Sequence, residues 1–269
     1  MKYLFFDIEC ANCDLGKGKI CSFGYVLTDE NFCVLKKEDI LINPDAPFHL
    51  TGRKNQRDIT LGYSESEFLS APKFPEFYDK IFSLITDNDT LAIGYAVVND
   101  VNFLQAECER YNLTMPDFTY FDVQLMYSDF KGVKDVVSLE RASKEYGAVI
   151  QENHVSVNDA EDTLKVARGI SESLLVPFNA LIELSYRAKG EIKSGEKSFC
   201  SRTPKKKEYD EKKRDIFEKF PTDSELIKKN REQSFLIHSG KNPIYHNYDS
   251  GATKSSTIGE LLKGINLEL

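Results

Sequence analysis

Acidic side chains in one short segment of the sequence are placed as ligands of metal ions often are. Asp7 and Glu9 lie two residues apart in the apolar segment from Tyr3 to Glu9. On a strand, residues at this spacing project from the same face of the sheet. Burying two carboxylates without a cation costs several kcal/mol, and neither of these acids has a basic neighbour in the sequence. The pair therefore indicates either a cation site or a strand end that is exposed to solvent.

A third acid, Asp100, lies at the start of a predicted helix that continues to about Tyr111. A helical projection places Leu104 and Cys108 on the same side as Asp100, so this carboxylate should face inward. Taken alone, an acid here is more often a partner of the positive end of the helix dipole. Glu107 falls on the same arc and has no evident role in the sequence.

A fourth acid, Asp159, lies at the edge of the apolar arc of a second predicted helix. Glu161 and Asp162 fall on the opposite side, so the helix directs only Asp159 toward the sheet. His154 precedes this helix. A lone histidine in such a place is usually a loop residue, but its spacing to Asp159 favours a shared site.

Together these residues would form a set of hard oxygen ligands with one imidazole beside it. Such a set suits Mg²⁺ or Mn²⁺ better than zinc. Two ions about 3.5 to 4 Å apart could activate a water molecule and stabilise the leaving oxygen of a phosphodiester. A zinc site is a less favoured alternative, because two of its four candidate thiols fall in predicted strands, where small buried cysteines are common; these candidates are Cys10, Cys13, Cys21 and Cys33.

The elements that must position these residues form an α/β pattern. Three strands are followed by helix and strand in alternation, which predicts a mixed sheet flanked by helices. Ser156 or Asn158 is the predicted cap of the helix that carries Asp159. The predicted strands are Tyr3 to Glu9, Ile20 to Leu27, Phe32 to Ile42, Thr90 to Tyr95 and Phe118 to Asp122, and the predicted helices are Pro75 to Ile85, Asp100 to Tyr111, Ser138 to Tyr146 and Asn158 to Leu175.

On these motifs, residues 1 to 175 resemble the DEDDh family of 3′-5′ exonucleases, within the ribonuclease H-like fold. The resemblance is strongest to the proofreading (epsilon) subunits of bacterial DNA polymerase III. It rests on Phe6-Asp7-Ile8-Glu9, on Asp100 after the strand from Leu91 to Tyr95, and on His154 and Asp159 with four residues between them. Supporting matches are Ile20-Cys21-Ser22-Phe23-Gly24, Ile42-Asn43-Pro44, Phe121-Asp122, and Ser138-Leu139-Glu140 through Tyr146-Gly147.

The resemblance implies a role for each matched residue. Two divalent ions, Mg²⁺ or Mn²⁺, would be held by four carboxylates, those of Asp7, Glu9, Asp100 and Asp159. His154 would be the general base that deprotonates the attacking water, a role that a near-neutral imidazole suits. Ile8 and the backbone around Cys10 and Ala11 would contact the 3′-terminal nucleotide.

The implied activity is release of nucleotides from single-stranded or frayed 3′ ends of DNA, and a DNA polymerase is a possible partner. Trimming of RNA ends is the first alternative, and a catalytically silent nucleic-acid-binding module is the second. Three departures from the family pattern bear on how the terminal base is gripped and hence on DNA-versus-RNA preference. These are Gly94-Tyr95-Ala96 in place of Gly-His-Asn, Asn99 in place of an aromatic residue, and Arg57 to Leu61 in place of Ile-x-Gly-Ile.

Charge divides the chain into two predicted parts. The net charge is -8, but residues 1–186 carry -13 and residues 187–269 carry +5. The first part is the predicted exonuclease domain, and the second is a basic, mostly helical extension with predicted helices from Lys205 to Phe220 and from Ser224 to Gln233. Its lysine clusters fit solvated helical faces or contacts with nucleic acid. The acidic excess does not exclude a nucleic-acid substrate, because part of it is the proposed metal ligands.

Cellular location is predicted from what the sequence lacks. Its longest central apolar stretch, Leu91 to Val98, is far shorter than the roughly 20 residues of a membrane-spanning helix. The apolar run that follows Lys2 is too short for a secretory signal. We therefore expect a cytoplasmic protein with reduced cysteines and no membrane partner.

Overall fold

The structure is a computed structural model that describes residues 1–14, 17–50, 60–133, 135–149, 154–199 and 204–236. Its centre is a seven-stranded mixed sheet in the order β3-β2-β1-β4-β5-β6-β7. The strands are β1 Lys2–Asp14, β2 Lys17–Asp29, β3 Val34–Leu41, β4 Thr90–Gly94, β5 Phe118–Asp122, β6 Lys189–Lys193 and β7 Glu196–Phe199. The helices are α1 Glu65–Ser70, α2 Phe74–Ile85, α3 Val98–Arg110, α4 Val123–Lys131, α5 Leu139–Lys144, α6 Ser156–Leu174, α7 Phe178–Ile182, α8 Lys206–Lys219 and α9 Glu225–Gln233.

The predicted mixed sheet with flanking helices, typical of the ribonuclease H-like fold, is confirmed. β1, β2 and β3 form an antiparallel meander, while β4 pairs parallel to β1 and β5 parallel to β4. β1 lies inside the sheet between β2 and β4, and its residues from Tyr3 to Phe6 are completely buried because elements cover both faces of the strand. Tyr3 and Phe5 pack on the side of α6, whereas Leu4 and Phe6 pack on the side of α2 and α3.

The sheet continues into the segment that the sequence assigned to the C-terminal extension. β6 pairs antiparallel with β5, and β7 pairs antiparallel with β6. Neither strand was predicted, because Gly190 and Gly195 fall in this segment and glycine usually weakens or interrupts a strand. Gly190 instead lies against the ring of Tyr120, where a side chain would clash, and Gly195 turns the hairpin with a φ of 77°.

The two helices predicted in the extension are present as α8 and α9, and both pack on the α6 face. Arg231 donates to the backbone oxygen of Leu174 at the end of α6, with Nη2 at 2.7 Å. Tyr209 donates to the backbone oxygen of Leu184 at 2.8 Å. Within the described part of the chain, no helix is both long enough and apolar enough to cross a membrane.

Candidate active site

The second half of β1 extends beyond the residues that pair with β4. β1 pairs with β4 from Lys2 to Phe5, and the strand then continues toward Asp14 with β2 as its partner. Asp7 pairs with Gly24 of β2 and Glu9 pairs with Ser22, so the two carboxylates share one face as predicted. This face is the one that α6 approaches.

α3 supplies the third acid beside the same strand. The backbone N–H of Ile8 donates to Oδ1 of Asp100 at 3.0 Å. This side-chain hydrogen bond lies beyond Phe5, where the pairing of β1 with β4 ends. Asp100 is only 4% exposed, so the inward orientation expected from the helical projection is confirmed. Glu107 on the same arc is buried and pairs with Arg110 at 3.3 Å. It is therefore a structural acid that anchors α3 rather than a member of the site.

Asp122 hydrogen-bonds to the loop between β4 and α3 and so helps to position α3 at the site, a role that the sequence did not indicate. Its Oδ1 accepts the backbone N–H of Ala96 at 3.1 Å and that of Gln124 at 2.8 Å. Ala96 has a positive φ of 54°, a strained conformation that this hydrogen bond helps to stabilise. Burial raises the pKa of Asp122 to about 6. Its position as the cap of α4, directly after β5, was the available signal.

The start of α6 lies directly on β2. A Cβ at Gly24 would fall 2.0 Å from the backbone nitrogen of Val157, so only glycine permits this approach. Ser156 then reaches Ser22 at 2.8 Å and donates to Oδ1 of Asp39 on β3 at 2.7 Å. The predicted cap was wrong: the helix begins at Ser156, and Val155 at the cap position makes no side-chain hydrogen bond. Tertiary contacts with β2 and β3 hold this helix end instead.

Replacing Gly24 by alanine should therefore destabilise the fold by about 3 kcal/mol, the upper range for inserting an atom into a packed interior. Urea unfolding followed by circular dichroism would measure the loss. Gly147→Ala is the comparison, because a side chain there meets open space and strains only the backbone φ of 79°, which costs about 1 to 2 kcal/mol. An equal or smaller loss at Gly24 would contradict the close approach of α6.

His154 is held beside Glu9 and Asp159 by backbone hydrogen bonds to the segment after residue 59. Its N–H donates to the oxygen of Thr60, and its oxygen accepts from the N–H of Gly62, both at 2.8 Å. Its Nδ1 lies 3.5 Å from a carboxylate oxygen of Glu9 and 3.6 Å from one of Asp159. The side chain is 51% exposed, so solvent reaches the imidazole.

The electrostatics of the site are those of crowded carboxylates. Burial, then the neighbouring charges of Asp100 and Glu9, raise the pKa of Asp7 well above its ordinary value. Burial also raises the pKa of Glu9 and of Asp100, although contacts with His154 and with the Ile8 N–H oppose it. The contacts of His154 with Asp159 and Glu9 raise its pKa to about 10. Asp39, which the sequence did not single out, adds a further negative charge that acts on Asp7 and Glu9.

All five predicted catalytic residues line one cleft of about 410 Å³. Ile8 lines it as well. Cys10 lies beside Gly18, and its Sγ is so close that a side chain added at Gly18 would clash with it. Ala11 is fully buried, and its backbone oxygen accepts the N–H of His49 at 2.8 Å. Contacts of Cys10 and Ala11 with a nucleotide stay predictions. The complete lining is Asp7, Ile8, Glu9, Cys13, Tyr95, Ala96, Asn99, Asp100, Asn102, Phe103, Leu139, His154 and Asp159.

Several departures from the family pattern lie at this cleft or beside it. Tyr95, Ala96 and Asn99 are lining residues. Leu61 forms a parallel bridge with His154, while residues 57–59 lie outside the described part of the chain. Tyr95, Ala96, Asn99 and Leu61, four of the positions that were expected to affect the grip on the terminal base, are therefore close to the catalytic candidates.

The donor set fits divalent cations rather than a thiolate zinc site. Ligand atoms of Glu9, His154 and Asp159 lie within 4.8 Å of one another, the one such group among the described residues. The largest charge effects on the pKa of Asp7 come from other carboxylates, those of Asp100, Glu9, Asp159 and Asp39, so a bound cation would relieve repulsion in the site. The four candidate thiols do not converge, because Cys33 follows the β2–β3 turn, at the opposite end of β2 from Cys21.

Comparison with known proteins gives two kinds of match. The family model described as Exonuclease matches residues 4–167. A search of curated proteins finds no match. Solved structures of E. coli exonuclease I share 18% identity over 69% of this chain, with a TM-score of 0.51 for a complex with a dA16 oligonucleotide, 0.53 for a zinc-bound complex with single-stranded DNA and 0.52 for the apo form. The chain spans 43 to 45% of the length of those proteins.

Proposed function

Because the chain belongs to the Exonuclease family, we propose that it removes nucleotides from the 3′ end of single-stranded DNA. The observation that carries this proposal is the convergence of Asp7, Glu9, Asp100, His154 and Asp159 on one cleft. These residues come from β1, from α3 and from the segment that enters α6, and each has the chemical type that the reaction requires. The complexes of E. coli exonuclease I with single-stranded DNA favour DNA as the first substrate to test.

The carboxylates would hold two divalent ions, Mg²⁺ or Mn²⁺. Asp7 is the proposed shared ligand, because it lies among the other acids and the charges of Glu9, Asp100 and Asp159 all act on it. Bound ions would supply Lewis-acid stabilisation of the reacting phosphodiester and lower the pKa of the attacking water. Two contacts position these ligands: the hydrogen bond from the Ile8 N–H to Asp100, and the close packing of the start of α6 against Gly24.

His154 is the proposed general base. It is exposed enough to meet a water molecule, yet held against Glu9 and Asp159, which orient the imidazole. A base must be neutral, whereas these two carboxylates keep His154 protonated at neutral pH. Cations held by these carboxylates would compensate their charge and would bring the pKa of His154 toward its ordinary range. The same acids would thus couple occupation of the site to the protonation state of the base.

End-labelled oligonucleotides test the activity directly. DNA and RNA of one sequence, blocked in turn at the 5′ and the 3′ end, would be incubated with Mg²⁺, with Mn²⁺ or with chelator. We expect stepwise shortening of 5′-labelled DNA in either metal and none in chelator. Faster shortening of RNA would assign the enzyme to RNA ends, and an intact strand in both metals would refute the proposal.

Binding of Mn²⁺ should strengthen as the pH rises. The raised pKa values of Asp7, Glu9 and Asp100 mean that the metal-free site holds protons that a cation must displace. The dissociation constant should therefore continue to fall as the pH rises above about 5, where ordinary carboxylates are already ionised. Calorimetry in two buffers of different ionisation enthalpy would count the protons released. A constant affinity with no proton release would contradict this account of the site.

A partnership with a DNA polymerase is a separate proposal that rests on the resemblance to proofreading subunits. Purified candidate polymerases would be tested for co-migration with the full chain in size-exclusion chromatography. Proofreading further predicts that a mispaired 3′ terminus is removed faster than a paired one. Equal rates on the two termini would argue for a nuclease that acts alone.

A further inference from the structure

Apart from His154, the described lining of the cleft carries no basic side chain. Its described lining residues include four acids and one histidine but no lysine or arginine. A single nucleic-acid strand brings a phosphate with every nucleotide, and neutralising these phosphates supplies much of the binding affinity. Cations held by the carboxylates would act at the scissile phosphate, so the upstream phosphates need basic groups elsewhere along the wall of the cleft.

The β6–β7 hairpin brings one such group to the wall. Lys197 pairs with Ile192 across the hairpin, and paired residues of an antiparallel ladder project to the same face. Ile192 is 2% exposed and packs in the same core as Val101 and Leu104 of α3. Lys197 therefore projects toward α3, where its Nζ contacts Oδ1 of Asn102. Asn102 is itself a lining residue of the cleft, two positions after Asp100.

The hairpin is fixed at this position by several contacts. The N–H of Ser194 donates to Oδ1 of Asp117 at 2.7 Å, and Gln105 donates to the oxygen of Gly195 at 3.4 Å. Gly190 lies against the ring of Tyr120 on β5. Lys197 is half-buried between these elements, and the contact of its Nζ with Asn102 places the ammonium group at the wall of the cleft.

We propose that Lys197, held against Asn102, binds a backbone phosphate upstream of the scissile bond. This rests on the proposed function, since it assigns a second contact of the same substrate, a single polynucleotide strand of three or more nucleotides. The site joins the segment after residue 187 to the chemistry of the first part of the chain. It gives one lysine of that basic segment a defined role, independent of the lysine clusters on α8 and α9.

The test compares Lys197→Gln with Lys193→Gln. Lys193 lies on the same hairpin, opposite Glu196 in the ladder, but its side chain is exposed. Its replacement therefore removes an equal charge away from the cleft. Binding of a 5′-fluorescein-labelled DNA strand would be measured by anisotropy in Ca²⁺ at several salt concentrations, with the strand checked afterwards for hydrolysis. K197Q should bind about fivefold more weakly, the effect of one charge pair about 4 Å apart in water. Its plot of log affinity against log salt should be shallower by about 0.7, the contribution of one phosphate contact on a single strand.

Lys197→Arg and the length of the strand separate a phosphate contact from a structural role. K197R keeps the charge and should keep the wild-type slope. In hydrolysis, the rise in KM caused by K197Q should be at least about threefold larger for a six-nucleotide strand than for a dinucleotide, which has only the scissile phosphate. Loss of the slope in K197R, equal effects on the two lengths, or a wild-type slope in K197Q would each overturn the proposal.

Failure of the proposed function would look different. A wild-type protein that binds the strand with the expected K197Q difference, yet releases no nucleotide in Mg²⁺ or Mn²⁺, would refute the nuclease activity and retain the phosphate contact. A wild-type protein that hydrolyses DNA, with K197Q and K193Q indistinguishable from it, would refute only the phosphate contact.

Discussion

Replacing Asp7 by asparagine should lower the rate of hydrolysis by about 10³-fold or more while raising the melting temperature of the metal-free protein. The loss follows because Lewis-acid stabilisation by metal ions contributes several kcal/mol to the barrier, and each 1.36 kcal/mol is about tenfold in rate. The gain follows because asparagine has the same shape but neither the buried charge nor the repulsion from Asp100 and Glu9.

The gain in stability has a definite dependence on pH. The pKa of Asp7 is raised in the folded state, so between the unfolded and folded pKa values the native protein binds more protons than the unfolded chain. This carboxyl therefore makes the wild type less stable as the pH rises above about 4, its unfolded value. D7N removes that contribution, so its advantage should be present at neutral pH and should vanish under strongly acidic conditions. An advantage of about 1 kcal/mol would raise the melting temperature by about 2 to 4 °C.

Differential scanning calorimetry with chelator and with Mn²⁺ would measure both effects. Mn²⁺ should stabilise the wild type but not D7N, because binding to the native state alone raises stability. Asp79→Asn is the matched control, since Asp79 is exposed on α2, away from the cleft. An active D7N, or a D7N that Mn²⁺ stabilises as strongly as the wild type, would contradict the assignment of Asp7 as a metal ligand.

The positions of the four candidate acids could be predicted because each combines a carboxylate with a periodicity that directs it inward. Alternation along β1 placed Asp7 and Glu9 on one face, and the 3.6-residue period placed Asp100 beside Leu104 and Cys108. Both inferences need only the local element. The structure adds the tertiary contacts that hold the acids, such as the Ile8 N–H on Asp100, because these join residues that are distant in sequence.

The parts that were missed depend on neighbours in space. Asp39 is one of four consecutive charged residues in β3, and its contact with Ser156 appears only when β3 and α6 meet. The β6–β7 hairpin was missed since its glycines suggest breaks until Tyr120 is seen against Gly190. A local signal was overlooked at α1, where Ser64 and Glu67 form a capping box that the sequence alone displays.

Replacing His154 by alanine should lower kcat by about 10² to 10⁴-fold, the usual contribution of a general base. Unlike D7N, this variant should keep its stabilisation by Mn²⁺, because the four carboxylates remain. Added imidazole should restore part of the rate, since His154 is 51% exposed and the space that it leaves opens to solvent. His49→Gln is the control, because His49 is exposed and does not line the cleft.

The same experiment decides between two roles that the geometry of His154 allows. Its imidazole lies among ligand atoms of Glu9 and Asp159 within 4.8 Å, a spacing that a metal ligand would also have. A ligand would be needed for binding, so H154A would then lose its stabilisation by Mn²⁺. A base is needed only for the reaction, so H154A would then lose its rate of hydrolysis but keep its stabilisation by Mn²⁺.

The pH dependence of the rate tests the role of base separately. At saturating Mn²⁺ the wild-type rate should rise with pH as the imidazole loses its proton, and H154A should lack that rise. Unchanged pH profiles in the two proteins would remove His154 from the role of base and leave deprotonation of the water to solvent.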